Sequence, residues 1–403
     1  MKKKVLIAAS VFPPEPIVSA NLIADLAEAL SENYDVTVLR PHPTRPKGFE
    51  MPSYHSEGLP YKVIEMDTYT CPESSIKGRF KESISMGKRY AKYIQEHASE
   101  IDFIFNDAWH LFGYNKVAHA AVKYGIPYIV TVQDIYPESL ASKLPKIKFL
   151  NWLVMKILGP IDHYTLSHAA RIHTIAEKMV ETLSATRKLP EEKFVIVRNW
   201  QDERPFLNYT KNDNTPRPFT FMYCGNVGPV AGIEVLIDGF VKANIKNGRL
   251  VIAGAGSARE SLKTYAAGFK DYCIEFWDVP SDKVPEVQSQ ADVMCLPVKR
   301  GFAMSSIPSK LPAYMFSAKP VLASVDKESD TAKCVMDSRC GWVVEPENVE
   351  SIAKAMSEAF QTKKIELVAI GKRGLDYSIA NFSRTKNLSL LLEACTDIIE
   401  HKQ

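Results

Sequence analysis

The residues of this chain best suited to chemistry stand where short apolar runs end. After the run at 219–224 comes Gly225-Asn226-Val227-Gly228, and after 251–253 comes Gly254-Ala255-Gly256-Ser257, each leading into a helix-like stretch. Glycines at such points let backbone amides approach a ligand closely, and a helix N-terminus carries partial positive charge suited to phosphate. The same loops serve equally well as tight turns with no ligand. A third loop, Ser305-Ser306-Ile307-Pro308-Ser309-Lys310, offers Ser306 as a helix cap, Pro308 for a first helical turn and Lys310 as a point charge. Lys299 and Arg300, just past the run at 292–296, add positive charge. Three such loops in one half of the chain read as a diphosphate site.

The other half carries acid–base candidates. The run at 103–105 is followed by Asn106-Asp107-Ala108-Trp109-His110. Asp107 can take a proton from an incoming hydroxyl, and His110 can do so with a pKa nearer neutrality. Asp134, after the run at 128–132, has the same placement but can instead hold the Tyr136-Pro137 turn in shape. All three also serve as ordinary loop residues bonded to backbone. No Asp-x-Asp pair stands out as a Mg²⁺ site, which is consistent with chemistry that needs neither metal nor cofactor.

Positioning these groups requires strands that end where the groups begin. Apolar runs at 5–9, 35–39, 103–105, 128–132, 171–175 and 194–197 alternate with helical patterns such as 19–30, where Leu22, Ile23, Leu26, Ala29 and Leu30 share one face. Another helix, 114–124, is closed by Gly125. A polar stretch at 207–218 interrupts the alternation, which resumes with strands at 219–224, 249–253, 273–276, 292–296, 320–324 and 342–344. Strand–helix–strand repetition implies parallel sheets covered by helices on both faces, with ligands at the carboxyl ends of the strands. The expected organisation is an α/β protein with a domain at 1–206, a linker at 207–218 and a second domain at 219–380. A C-terminal helix at 381–403 can cross back to the first domain.

Bulk properties narrow the class. A chain of 403 residues suits two domains. A formal charge of +3 gives no support to a nucleic-acid partner. The seven cysteines are scattered without the close pairs of a zinc site, which suits reduced core thiols in a cytoplasmic protein. Met1-Lys2-Lys3-Lys4 followed by an apolar run mimics a secretion signal, but the run stops at Pro13-Pro14 and reads better as a buried first strand. No run of about 20 apolar residues is present to cross a membrane. The segment 139–161 has no acidic residue and carries Lys143, Lys146, Lys148 and Lys156 among Phe149, Trp152, Leu153, Met155, Ile157 and Leu158. Such a stretch suits an anionic membrane surface. The region 77–93 adds six basic residues against Glu82 alone. Ordinary core packing with solvated lysines accounts for both patterns equally well.

The order and spacing of several short motifs are specific. They are Val11-Phe12-Pro13-Pro14-Glu15, Val132-Gln133-Asp134-Ile135-Tyr136-Pro137-Glu138-Ser139, Val197-Arg198-Asn199-Trp200, Tyr223-Cys224-Gly225-Asn226-Val227-Gly228, Ile307-Pro308-Ser309-Lys310-Leu311-Pro312-Ala313-Tyr314-Met315 and Ala318-Lys319-Pro320-Val321. In these the chain resembles the family 4 glycosyltransferases, a retaining group of GT-B architecture, and in particular the branch that builds O-antigens, capsules and exopolysaccharides. The resemblance covers nearly the whole chain. It implies two doubly wound Rossmann-like domains facing a cleft, with a nucleotide-sugar donor, UDP-linked, held mainly by the second. It implies a lipid-linked or polysaccharide acceptor on the first, no metal, and a cytoplasmic enzyme peripheral to the membrane. The family's two glutamates, one near the sugar and one on the ribose, fall at Ser305 and Ala313, and its arginine after the first strand of domain two falls at Asn226. These departures leave two rivals, a sugar-nucleotide 2-epimerase and a non-catalytic partner on the same fold.

Overall fold

The computed structural model describes residues 2–45, 51, 56–73, 75–108, 111–142, 148–209, 216–304 and 307–401. The chain forms two compact units, Met1–Asn199 with Asn387–Gln403, and Trp200–Lys386. The division falls at Asn199, ahead of the polar stretch at 207–218.

The first unit is built on seven parallel strands: β1 Lys4–Ala9, β2 Asp35–Pro41, β3 Lys62–Met66, β4 Phe103–Asp107, β5 Tyr128–Val132, β6 Arg171–Thr174 and β7 Phe194–Ile196. They lie in the order β3-β2-β1-β4-β5-β6-β7. Strands β1, β4 and β5 are buried along nearly their whole length. Helices cover both of their faces, which is why they read as unbroken apolar runs rather than alternating ones. The exception to the sequence reading is β3, Lys-Val-Ile-Glu-Met, which was not expected as a strand. It sits at the sheet edge, half exposed, so its charged residues cost nothing and no apolar run marks it.

The helix Ile76–Glu96 starts at Ser75, whose side chain accepts from the Gly78 amide at 3.1 Å. It buries Met86, Tyr90 and Ile94 and leaves Lys77, Lys81, Lys88, Arg89 and Lys92 exposed, while Arg79 pairs with the buried Glu82 at 2.9 Å. The helix Arg384–Glu400 buries Leu388, Leu391, Cys395 and Ile399, and Lys3 Nζ donates to the Ile399 carbonyl at 2.6 Å.

The second unit has six parallel strands: β8 Phe219–Cys224, β9 Gly248–Ala253, β10 Cys273–Trp277, β11 Val293–Pro297, β12 Val321–Ser324 and β13 Gly341–Val344. Their order is β10-β9-β8-β11-β12-β13. One apolar layer, with Leu236, Ile237, Phe240 and Met356, covers one face; another, with Leu311, Tyr314, Met315 and Val335, covers the other. Each fully buried side chain of this kind contributes roughly 1.5–3 kcal/mol.

In both sheets the strand order reverses at one place, between β1 and β4 and between β8 and β11. At such a point the connections leave in opposite directions and a crevice opens at the carboxyl ends of the two strands. In the second sheet it opens early: β8 and β11 pair only through Phe221↔Val293 and Met222↔Met294. Of the seven cysteines, six are buried and Cys273 is exposed.

Candidate functional site

At the second crevice the loops after β8 and β9 are zipped together. Gly225 N donates to Ala253 O at 2.9 Å, Val227 N to Ala255 O at 2.8 Å, and Ala258 N to Val227 O at 3.0 Å. Gly254 and Gly256 have φ of +128° and +156°, and a Cβ on them would lie 2.2 Å from the carbonyl oxygens of Gly225 and Val227. Their need for glycine is therefore set by the neighbouring loop. Gly228 is buried behind this pair, and Asn226 stands exposed on the rim with its carbonyl held by the Tyr223 hydroxyl. The next helix, Ile233–Ala243, has Gly232 at its N-cap and no capping side chain.

Gly225 is different. A Cβ there would lie 2.3 Å from Cε of Lys310, so the lysine's aliphatic arm runs directly across the glycine. The ammonium ends 5.7 Å from the Tyr223 ring centroid. Among the described residues no hydrogen bond or ion pair is made by Lys310 Nζ, and burial lowers its pKa from the ordinary lysine value. A half-desolvated cation of this kind favours an anion, which would restore the lysine's charge preference.

Lys299 sits across the same crevice, its amide bonded to Val230 O at 3.0 Å. Its neighbour Arg300 turns away to Glu345 at 2.9 Å and the Pro346 carbonyl at 3.2 Å. Ser305 and Ser306 lie outside the described residues. The sequence placed Pro308 in the first turn of the next helix; that helix instead spans Lys310–Phe316, with exposed Ser309 at its N-cap and no capping side chain. Pro312 occupies its third position, where a missing N–H is harmless. Ala313 is buried, 6% exposed.

At the first crevice Asp107 ends β4 beside Ala9 of β1. It is 4% exposed, and Ser10 Oγ donates to its Oδ2 at 3.3 Å. Burial pushes its pKa up to about 7, against the opposing hydrogen bond from Ser10. A carboxyl poised there can exchange a proton near neutral pH. The Tyr90 hydroxyl donates to Ala9 O at 2.7 Å and Leu39 O at 3.2 Å and fixes the floor beneath it. Its neighbour Asn106 is locked by its side-chain amide to Tyr114 O at 3.1 Å. His110 lies outside the described residues. Asp134 is exposed and accepts from Ser139 Oγ at 2.6 Å, a bond within the turn it introduces.

Sequence reasoning missed the groups that hold these in place. Ser10 was readable as a polar residue closing a buried run. Arg187 was not: from the helix Glu177–Arg187 it donates to both oxygens of Glu138, to Asp162 Oδ2 at 2.8 Å and to Tyr136 O at 2.6 Å. It thereby clamps the loop that follows Asp134. A groove lined by Lys2, Lys4, Tyr34 and Asp35 lies at the amino ends of β1 and β2, away from these groups, and Lys4 there is paired with Glu100 at 2.8 Å.

Comparison with known proteins agrees with this layout. Residues 19–200 match the family described as glycosyl transferase 4-like domain, and residues 218–362 match glycosyl transferases group 1. The two matches together span most of the chain and support a glycosyltransferase. Its two parallel-sheet units are those of the GT-B fold. The chain is similar to the probable glycosyltransferase WbjE of Pseudomonas aeruginosa, 23% identical over 278 residues; the match spans 66% of each chain, just under two thirds of that relative. Among solved structures it resembles HepE of Anabaena in complex with UDP, at 14% identity and a TM-score of 0.67 over 98% of this chain and 100% of that one. It also resembles a glycosyltransferase of Rickettsia africae, at 16% identity and a TM-score of 0.65 over 99% of both chains.

Proposed function

We propose that this protein transfers a sugar from a UDP-linked donor to a hydroxyl of a glycan acceptor, with retention of configuration and without a metal. The observation that carries this reading is Lys310, an ammonium lying across Gly225 at the strand-order reversal, with no anionic partner among the described residues. Lys299 and Lys310 meet the charge of the diphosphate as it leaves. The acceptor oxygen bonds to the anomeric carbon on the same face from which the bond to the diphosphate breaks, so the configuration is retained. Asp107 takes the acceptor's proton, and UDP departs with the bonding electrons. HepE, which shares the fold, has been solved with UDP and with UDP-glucose.

The acceptor in this reading is lipid-linked, as in the synthesis of a surface polysaccharide, and the protein works peripherally on the cytoplasmic side. The helix Lys148–His168 exposes Phe149, Trp152 and Ile157, with Lys156 Nζ 4.7 Å from the Trp152 ring centroid. Lys143 and Lys146 lie outside the described residues. Among the described residues no helix is long and apolar enough to cross a membrane. We expect Phe149→Ser with Trp152→Ser to weaken binding to vesicles containing anionic lipid, read by co-sedimentation, with UDP binding unchanged.

Titration calorimetry with UDP, GDP and their sugar conjugates tests the donor reading. UDP should bind, and Lys310→Ala should weaken it about 10- to 100-fold, the loss of a charged contact of roughly 1.5–3 kcal/mol. The non-catalytic alternative is favoured by Ala313, a buried methyl with nothing to offer a ribose hydroxyl. Failure of every nucleotide to bind would establish that alternative. Release of free UDP from a UDP-sugar without any acceptor would instead mark an epimerase.

A further inference from the structure

The strand β8 ends without a neighbour on one side. Its pairing with β11 stops at Met222, yet β8 continues through Tyr223 to Cys224, whose partner on the β9 side is Ala253. Buried backbone groups cannot be left empty without a cost of about 1–3 kcal/mol each. The Tyr314 hydroxyl fills the gap. It accepts from Cys224 N at 2.9 Å and donates to Cys224 O at 2.9 Å, and its side chain is fully buried. One phenol thus stands in for the missing strand and fixes the peptide that leads into Gly225.

Tyr314 and Lys310 belong to the same helix, Lys310–Phe316, and lie one turn apart, hence on one face. The tyrosine grips residue 224 while the lysine arm crosses residue 225. We infer that Tyr314 is a positioning residue for the donor diphosphate: its hydroxyl sets the spacing between the Lys310 ammonium and the backbone of the β8 loop. This inference rests on the donor site proposed above. The cost of ordering loop and lysine against each other is met on folding, so the anion meets a site already formed.

The test compares two tyrosines that lose the same atom. Tyr314→Phe removes the double contact at Cys224. Tyr128→Phe, in the first unit, removes an equally buried hydroxyl that donates to Thr165 O at 2.6 Å. Both variants should melt at lower temperature. In calorimetry with UDP, Tyr314→Phe should weaken binding about tenfold, the equivalent of one hydrogen bond, while Tyr128→Phe stays within twofold of wild type. Tyr314→Phe binding UDP as well as wild type, despite a lowered melting temperature, would make the residue purely structural and overturn the inference. If Tyr314→Phe fails to melt cooperatively, amide exchange of the wild type decides. The Cys224 amide must already exchange slowly without UDP, and slow exchange appearing only with UDP would overturn prepositioning. Lys310→Ala keeps the two readings apart. No UDP binding by wild type, or no effect of Lys310→Ala, removes the donor site itself; a loss in Lys310→Ala with none in Tyr314→Phe removes only the role of Tyr314.

Discussion

Replacing Asp107 by asparagine separates the stability of the first crevice from its chemistry. The carboxyl is 4% exposed and its pKa stands at about 7, against 3.8 for the free group, with burial as the leading cause. The folded state therefore holds its proton more tightly than the unfolded chain. The stabilisation is complete below pH 3.8, falls as pH rises, and is exhausted above about 7. Three pKa units at about 1.4 kcal/mol each give roughly 4 kcal/mol across the whole window. Between pH 5 and pH 8 roughly 2–3 kcal/mol of that is lost. Asparagine has the same shape, keeps an oxygen for Ser10 and never ionises. We expect the stability difference between Asp107→Asn and wild type to move in favour of asparagine by that amount from pH 5 to pH 8. Other titrating groups are common to both proteins and cancel. Urea unfolding followed by circular dichroism at the two pH values measures it. The same variant should lower turnover by at least about a hundredfold, the usual contribution of a general base, with UDP affinity unchanged. A difference in stability that does not change with pH would refute the assignment of a neutral buried carboxyl, and unchanged turnover would refute its role as base.

Two further substitutions probe the frame around the sites. Arg187→Met should destabilise the protein by about 3–5 kcal/mol in thermal or urea unfolding, because Glu138 and the largely buried Asp162 lose their shared counter-charge. The loss should be smaller at pH 5 than at pH 8, since burial raises Asp162 to about 6 even beside Arg187 and protonation removes the unpaired charge. Gly256→Ala should cost about 1–3 kcal/mol or more and weaken UDP binding, because its Cβ would meet the Val227 carbonyl at 2.2 Å and push apart the two loops that frame Lys310. Wild-type melting temperature and UDP affinity in that variant would show the loops to be separable.

The central strands were legible because of where they lie. A strand buried on both faces has no polar positions to spare, so β1, β4, β5, β8, β9 and β11 announce themselves as apolar runs. The edge strand β3 has one open side, and Lys62 and Glu65 hide it. Local turn chemistry was readable in the same way: the glycines after β8 and β9 announced tight approaches, though the approach of Gly254 and Gly256 is to the neighbouring loop. The start of the helix at Lys310 was not, because Ser306 and Pro308 offer a start signal of equal strength a few residues earlier.

The sequence by itself determined the element types, their parallel alternation and the candidate groups at strand ends, since these depend on neighbours within a few residues. Which groups meet was decided by strand order and register. Ser10 reaches Asp107 only because β1 lies beside β4 with Ala9 opposite Asp107. Lys310 crosses Gly225, and Tyr314 closes Cys224, only because β11 parts from β8 after two residues and leaves room for a helix. Arg187 finds Glu138 across 49 positions of sequence. Contacts at such separations carry no local periodicity, so nothing in the chain encodes them until the sheets have formed.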